Sequence, residues 1–232
     1  EGTPVDFRNL RIKELPEETS PWAIDANDAE GFRPLFNGLD FTGWKKPKDH
    51  EDNWTVQGTN IAHNGKGGDL WTTESYGDFD MIVDWKWTGQ SQGEMERPVI
   101  TAKGTTATNE DGTPQMVTIE ERDSGIYLRG SSKSQVNIWC WPIGSGEVWG
   151  YRTDESQSAQ TRAAATPNAA ADSPVGQWNR YFIRMRGEYL TVILNGITVV
   201  DRAHLPGVPA EGPIGLQSHG SGISFSNILI RR

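Results

Sequence analysis

Short stretches in which apolar and polar residues alternate recur along the chain. In residues 79–87 the apolar row consists of Phe79, Met81, Val83, Trp85 and Trp87. A period of two residues is typical of a β-strand with one buried face. Residues 178–186, 189–194 and 223–230 are predicted as further strands, and Asn195-Gly196 favours a two-residue hairpin after the second of them.

Many short strands without an amphipathic helical segment between them predict an all-β fold of two packed antiparallel sheets. The 232 residues include 26 Gly and 13 Pro, which fits one large domain with many turns. Residues 1–31 are predicted to be an N-terminal extension with a short helical turn near 24–30, and residues 32–232 the β-sandwich. Residues 88–121 and 155–174 are predicted as long loops, the second either a lid or a disordered surface loop.

The segment 123–151 carries an unusual row of polar and aromatic side chains. One predicted strand presents Asp123, Gly125, Tyr127 and Arg129 on one face, and the next presents Gln135, Asn137, Trp139 and Trp141. Such residues suit a sugar, because aromatic faces stack on the C–H faces of the ring and planar polar groups match pairs of hydroxyls. The alternative is that the tryptophans are core residues under a long loop.

Charge and cysteine content narrow the classes of partner. The net charge of −9 argues against a nucleic-acid partner and is compatible with a neutral carbohydrate. Cys140 is the single cysteine, so an internal disulfide is excluded, and no run of residues is long and apolar enough to predict a membrane span. Because the sequence starts at Glu1, we expect a secreted or periplasmic protein whose signal has been removed, with a lipid anchor left open.

Metal and acid–base candidates are few. The four histidines lack zinc-site spacing, and no cofactor is predicted with certainty. Calcium could bind an acidic loop such as 49–52, although solvated loop charge explains these carboxylates more simply. Gln217 and His219 are predicted to share a face, where His219 could be a general base, a substrate ligand or a structural histidine. Asp84, Asp123, Glu147 and Asp154 are the carboxylates nearest the polar row in sequence, and a paired-carboxylate glycosidase would need two of them about 5–10 Å apart.

Several segments in order carry a family resemblance: LFNGLDFTGWK, NWTVQG, YGDFDMIVDWKW, DSGIYLRG, WNRYFIRMRGEYLTVILNG and IGLQSHGSGISFSNILIRR. The set resembles the 3-keto-disaccharide hydrolase domain family over residues 32–232. The resemblance implies a concanavalin A-like jelly-roll β-sandwich with a concave sugar-binding face. It also implies lyase-hydrolase chemistry, in which a ketone at C3 acidifies the C2 proton, a base removes that proton, the aglycone leaves from C1 and water adds.

The resemblance also implies roles for particular residues. Asp123 stands where the family commonly has the Asn of an Asn-Ser-Gly motif, and Arg129, Gln217 and His219 match family positions. On this basis His219, or else Asp84 or Glu147, removes the proton, while Arg129 or Gln217 holds the ketone oxygen. The chain departs from the family on the following strand, which often carries a glutamate and a glutamine; here that strand carries Gln135, Asn137 and Trp139. This departure keeps open two alternatives, a non-catalytic carbohydrate-binding module and a structural domain of a larger assembly.

Overall fold

A computed structural model describes residues 30–45, 47 and 53–232. Most of the described strands form two antiparallel sheets. The eight-stranded sheet contains β1 (Arg33–Pro34), β3 (Trp54–Gln57), β4 (Asn60–His63), β6 (Phe79–Trp87), β11 (Asn179–Arg186), β12 (Tyr189–Leu194), β13 (Ile197–His204) and β15 (Ile223–Arg231). The five-stranded sheet contains β2 (Trp44–Lys45), β5 (Leu70–Thr72), β9 (Asp123–Leu128), β10 (Ser131–Trp139) and β14 (Gly215–Leu216).

The order of strands fixes which residues face each other. The eight-stranded sheet runs β13-β12-β11-β6-β15-β4-β3 with β1 beside β15, and the five-stranded sheet runs β10-β9-β14-β5-β2. One hydrophobic core unites the inner rows of both sheets, including Trp85 and Tyr181 from one and Ile126 and Val136 from the other. The predicted jelly-roll β-sandwich of two antiparallel sheets is therefore confirmed.

Period-two alternation located the principal strands accurately. The predicted strands 79–87 and 189–194 coincide with β6 and β12, and β11 begins one residue after the predicted start at 178. Asn195 and Gly196 have φ angles of 51° and 83°, the positive values that a type I′ hairpin turn requires.

Residues 88–121 contain more structure than predicted. They include strands β7 (Glu94–Pro98) and β8 (Met116–Glu120), which pair as an antiparallel hairpin. Isolated bridges, such as Ile100 with Thr106, continue the pairing toward the tip. We call residues 94–120 the arm. None of the residues of β7 and β8 is fully buried, so the apolar alternation is weak in the arm and is visible in the sequence only over residues 116–119.

Two short helices lie between strands, where no amphipathic helical segment is predicted. Helix α1 (Trp149–Arg152) follows β10 in the chain, and helix α2 (Ala159–Ala164) lies within the predicted loop 155–174. Ser158 caps α2 by accepting a hydrogen bond from the backbone N–H of Thr161. Both helices are too short to show a helical period in the sequence.

The loop 155–174 is packed onto neighbouring parts of the chain. Ala165 is fully buried and its carbonyl accepts a hydrogen bond from the Val148 N–H. A Cβ on Gly104 of the arm would lie 2.8 Å from the carbonyl oxygen of Arg162 in α2. The arm and α2 are therefore in direct contact, which argues against a disordered loop here.

Some predictions fall outside the described residues. These are the N-terminal extension, the helical turn near 24–30 (apart from residue 30) and the acidic loop 49–52. The domain boundary at residue 32 stays a prediction. Among the described helices, none has the length and apolar character needed to cross a membrane.

Candidate functional site

Paired strands create a polar face on the five-stranded sheet. Asp123 lies opposite Trp139, Gly125 opposite Asn137, and Tyr127 opposite Gln135. Residues directly opposite each other in an antiparallel pair point to the same side. The core-facing sides of these strands carry fully buried residues such as Ile126 and Val136, so the polar row lies on the other side of the sheet.

A cleft of about 600 Å³ lies over this face. Its floor is β9 and β10, and its walls are the arm with the residue that follows it, helix α1 with the turn after it, and the loop after β14. The lining residues are Arg97, Glu121, Asp123, Ser132, Lys133, Gln135, Asn137, Trp139, Trp141, Trp149, Gly150, Thr153, Asp154, Gln217 and His219. A cleft of this size accommodates a ligand larger than one monosaccharide.

His219 lies at the edge of the cleft beside Asp123. Its Nδ1 atom is 3.3 Å from Oδ2 of Asp123, and 53 % of its side chain is exposed. The Gln92 side chain donates a hydrogen bond to the His219 carbonyl and so anchors the backbone of this loop. Nε2 of His219 makes no hydrogen bond to a described residue and is free to contact a ligand.

Asp123 has a perturbed acidity. The pKa of its carboxyl is raised to about 6, chiefly by burial and in smaller part by the negative charge of Glu121. The nearby His219 and Arg97 act in the opposite direction, because positive charge favours the carboxylate. The pair therefore joins an exposed imidazole to a carboxyl that titrates near neutral pH, an arrangement suited to proton transfer.

Amide groups cover the middle of the floor. Nε2 of Gln135 donates a hydrogen bond of 2.6 Å to Oε1 of Gln217. A Cβ on Gly125 would collide with Nε2 of Gln135, so the absent side chain of Gly125 leaves room for that amide. Asn137 is only 4 % exposed, yet its side chain lines the cleft without a hydrogen bond to any described residue. The amide is not among the buried polar atoms that lack a partner, so it reaches the solvent of the cleft and can bond a ligand hydroxyl or carbonyl.

The aromatic surface predicted at Trp139 is provided mainly by Trp141, the next residue of the same alternating row. Trp139 is 3 % exposed, and its indole N–H donates a 2.6 Å hydrogen bond to the Gly144 carbonyl. Its ring stacks on Trp141 with centroids 4.4 Å apart. Trp141 is partly exposed and Arg97 lies over its ring at 5.6 Å. Trp139 therefore supports the platform, and Trp141 presents more of its surface to the cleft.

Tyr127 lies on the polar side of the sheet but beyond the cleft. It is 7 % exposed, and its ring stacks on Trp71 at 5.1 Å. Burial raises the pKa of its hydroxyl to about 12. Tyr127 thus flanks the glutamine pair without lining the cleft, and its predicted direct contact with substrate does not fit this position.

Arg129 lies outside the cleft, contrary to prediction. Strand β9 ends at Leu128, and Arg129 adopts a left-handed φ of 52°, which breaks the alternation. Its side chain is 1 % exposed and pairs with Asp78 at 3.0 Å. It also donates hydrogen bonds to the carbonyls of Gly77, Gly187 and Pro209. Arg129 is a structural residue that ties several loops together.

Arg129→Gln should reduce stability and leave the chemistry of folded molecules unchanged. The substitution leaves several carbonyls without their donor, and we expect a loss of about 3–5 kcal/mol in the free energy of unfolding. Denaturant unfolding and turnover per folded molecule measure the two effects. Arg186→Gln is the control, because Arg186 is 44 % exposed and shares Asp80 with other arginines. A selective loss of turnover in Arg129→Gln, with normal stability, would contradict this placement.

Asp84 is also remote from the cleft. It lies on β6 opposite the core-facing row, on the outer side of the eight-stranded sheet. It is fully buried and accepts hydrogen bonds of 2.6 and 2.7 Å from Arg180 and one of 2.6 Å from Asn227. All these contacts are structural, and the cleft lies on the other sheet. The predicted catalytic role of Asp84 therefore does not fit its position.

Glu147 lies beside the cleft floor and is covered by α1. Its carbonyl accepts a hydrogen bond from the Asn137 N–H, while its carboxylate is 2.8 Å from Arg152. Burial raises the pKa of this carboxyl to about 7. Glu147 is fully buried and does not line the cleft, so it lacks the substrate contact that a catalytic base requires.

The cleft includes residues that sequence reasoning missed. Arg97 and Glu121, an ion pair at 3.0 Å, come from the arm and its end. Lys133 closes the opposite wall through a 2.6 Å ion pair with Asp154, which the sequence had already marked as a carboxylate near the polar row. Trp149 stands at the start of α1 and is 52 % exposed. The tryptophan beside Gly150 was the one feature of the local sequence that could have indicated a binding residue here. The arm and α1 reach the cleft only through the tertiary fold.

No group of three or more His, Cys, Asp or Glu side chains suited to a metal ion occurs within the described part of the chain. Cys140 is partly buried, and burial raises the pKa of its thiol to about 11. A thiol with that pKa is a poor nucleophile at neutral pH.

The fold and the cleft define a class of protein. A β-sandwich whose open cleft combines amides, tryptophans and a histidine–carboxylate pair is suited to a carbohydrate-active protein. Over residues 31–231 the chain matches the 3-keto-alpha-glucoside-1,2-lyase-like domain, and it belongs to this family. The predicted resemblance is thereby confirmed.

Individual relatives agree with the family. The chain is 23 % identical to a 3-keto-disaccharide hydrolase of Bacteroides thetaiotaomicron, over 88 % of this chain and 79 % of that protein. A candidate glycosyl hydrolase from Parabacteroides distasonis has a similar fold, with a TM-score of 0.57, 23 % identity, and coverage of 96 % of this chain and 94 % of that one. A second structure from that organism gives a TM-score of 0.56 at 20 % identity, covering 90 % and 97 %.

Proposed function

We propose that this protein cleaves glycosides already oxidised to a ketone at C3, by elimination followed by addition of water. The observation that carries the proposal is the His219–Asp123 pair at the edge of the cleft. The imidazole is held 3.3 Å from a carboxylate, while its other nitrogen makes no hydrogen bond within the part of the chain that the structure describes. Family membership supports the same chemistry.

In the first step, Nε2 of His219 takes the C2 proton. The ketone makes this proton acidic, because negative charge delocalises onto the C3 oxygen. The electron pair of the broken C2–H bond forms the C1=C2 double bond as the C1–O bond breaks. The aglycone oxygen leaves with that bonding pair and takes a proton from water. Asp123 stabilises the imidazolium that forms.

The developing enolate oxygen needs hydrogen-bond donors. Asn137 is the strongest candidate, since its amide lines the cleft floor without a hydrogen bond to any described residue. Gln217, one of the two donors that the family resemblance implies, is held in place by Gln135 and supplies a second amide nearby. Asn137 takes the place of Arg129, the other implied donor. Fixed donors aimed at developing charge are among the largest contributions to catalysis.

In the second step, water adds across the double bond. Its oxygen bonds to C1 and releases a proton to solvent, and C2 regains a proton from the imidazolium of His219. The products are the 3-keto sugar and the free aglycone. The sequence of steps needs one base, so neither the remote position of Asp84 nor the burial of Glu147 opposes it. Calcium binding by residues 49–52 is a separate proposal with no part in these steps.

Turnover assays test the proposal directly. The native protein is expected to hydrolyse 3-keto-disaccharides and to leave the corresponding unoxidised disaccharides intact, because only the ketone acidifies C2. Absence of turnover together with measurable binding of sugars would favour the non-catalytic carbohydrate-binding module.

The secreted or periplasmic location, with or without a lipid anchor, stays a prediction.

Asp123 should impose a pH dependence on the rate. As the pH falls through about 6, the Asp123 carboxylate takes a proton and no longer stabilises the His219 imidazolium. We expect kcat/KM to rise with pH across this window, and Asp123→Asn to have a low, flatter profile. A native profile without a transition near pH 6, and matched by the variant, would contradict this role.

The stability of the protein should move in the opposite direction. The folded-state pKa of Asp123 is raised above its unfolded value, so the folded state binds more protons between about pH 4 and 6. This group therefore favours folding at low pH and loses that contribution as pH rises through about 6. Comparing denaturant unfolding of the native protein and Asp123→Asn across this range isolates the effect.

A further inference from the structure

Trp149 is an exposed aromatic residue that the proposed steps do not use. Its side chain lines the cleft, is 52 % exposed and makes no contact with another aromatic ring among the described residues. A single exposed tryptophan needs no explanation by itself. However, Trp149 lies in the cleft wall opposite His219, where a bound ligand would contact its ring.

The wall that carries Trp149 is firmly anchored. In α1, Tyr151 is 1 % exposed and Arg152 pairs with the buried Glu147. A Cβ on Gly150 would lie 2.5 Å from the Lys133 carbonyl, so the helix touches the backbone of β10 directly. The hydroxyl of Thr153 donates a 2.6 Å hydrogen bond to the carbonyl of Trp149. The backbone of Trp149 is thus held in place, which makes its ring a prepared contact surface.

The distance across the cleft leaves room for a second ring. His219 contacts Asp123 at the start of β9, which lies opposite Trp139 at the end of β10, whereas Lys133 lies near the start of β10 and touches the helix that carries Trp149. A strand rises about 3.3 Å per residue, so the two walls are separated by roughly 15 Å or more along β10. A sugar held at His219 therefore leaves the opposite half of the cleft to its aglycone.

The chemistry of this half suits a sugar rather than an apolar group. Lys133 and Asp154 form a 2.6 Å ion pair beside Trp149, and both line the cleft. Trp149 offers a flat apolar face, and the pair offers donors and acceptors for hydroxyls.

We infer that Trp149, with Lys133 and Asp154, binds the leaving sugar and sets the preference for the aglycone. The inference rests on the proposed function, because it assigns His219 to the oxidised ring. The aglycone contact is a positioning contact: it holds the glycosidic bond near His219 and takes no part in proton transfer.

Two substrates that differ in the aglycone test the inference. They are a 3-keto-disaccharide whose second ring is glucose and the corresponding methyl 3-keto-glucoside. Trp149→Ala should lower kcat/KM about tenfold or more on the disaccharide and by less than about twofold on the methyl glycoside. Trp149→Phe should recover most of the loss, since it restores an aromatic face. Tyr189→Ala is the matched control, because Tyr189 is 46 % exposed on β12 and lies outside the cleft.

The outcomes separate this inference from the proposed function. Equal losses on both substrates, or no loss on either, would overturn the role of Trp149 while native turnover upholds the function. If the native protein turns over neither substrate, calorimetric binding of the unoxidised disaccharide decides. Binding that Trp149→Ala weakens about tenfold would uphold the sugar contact without the chemistry, and unchanged or absent binding would overturn it.

Discussion

Replacing His219 with glutamine should reduce turnover of a 3-keto-disaccharide by about 10²–10⁴, the usual effect of removing a positioned general base. Glutamine keeps a polar side chain of similar reach but does not accept a proton at neutral pH. The His219 side chain is 53 % exposed and pairs with Asp123, so the fold should tolerate the change. Initial rates at saturating and limiting substrate measure the loss.

The matched control is His204→Gln. His204 is similarly exposed, and it likewise pairs with a carboxylate, Glu188 at 3.0 Å. It lies on β13 of the other sheet and does not line the cleft, so turnover should be unaffected. Equal activity in His219→Gln and the native protein would remove His219 from the mechanism and leave Asp123 as the remaining titratable candidate in contact with it.

Replacing Trp139 with alanine should cost about 3–5 kcal/mol in the free energy of unfolding, the range for deleting a buried tryptophan. Trp139 is 3 % exposed, its N–H is bonded to Gly144, and its ring supports Trp141. The substitution therefore leaves a cavity beneath the cleft and an unpaired carbonyl. Denaturant unfolding at constant pH measures the change.

Trp149→Ala provides the comparison for Trp139→Ala. Trp149 is 52 % exposed, and removing its side chain should change stability by only about 0.5 kcal/mol. If Trp139→Ala instead keeps native stability and loses sugar binding alone, then Trp139 is an exposed platform and its position here is wrong.

The strands could be predicted because each has one buried face. In β6 every second residue contributes to the core, and that pattern is visible in the sequence without any knowledge of the partner strand. The arm strands β7 and β8 lack a buried face, so their apolar alternation is too weak to define the hairpin. The two helices are shorter than the window in which a helical period can be detected.

The candidate site could be predicted only where alternation continues. Asp123, Gln135 and Asn137 lie on regular strands, and the register places them together as expected. Arg129 failed because one left-handed residue ends the alternation, and Trp139 shows that a residue on the polar face can still be covered by its neighbours. The walls that carry Arg97 and Trp149 depend on tertiary packing, which a local pattern does not encode.

The most direct test of the central claim is the fate of the C2 proton. Hydrolysis of a 3-keto-disaccharide in D₂O should yield a 3-keto sugar with solvent deuterium at C2, because the C2–H bond breaks and is rebuilt through the solvent-exposed His219. NMR spectroscopy of the product, taken early in the reaction and corrected for exchange without enzyme, gives the result. A product that keeps its original C2 proton, in a reaction that also shows no primary isotope effect when C2 carries deuterium, would show that C1–O cleavage proceeds without elimination and would contradict the account.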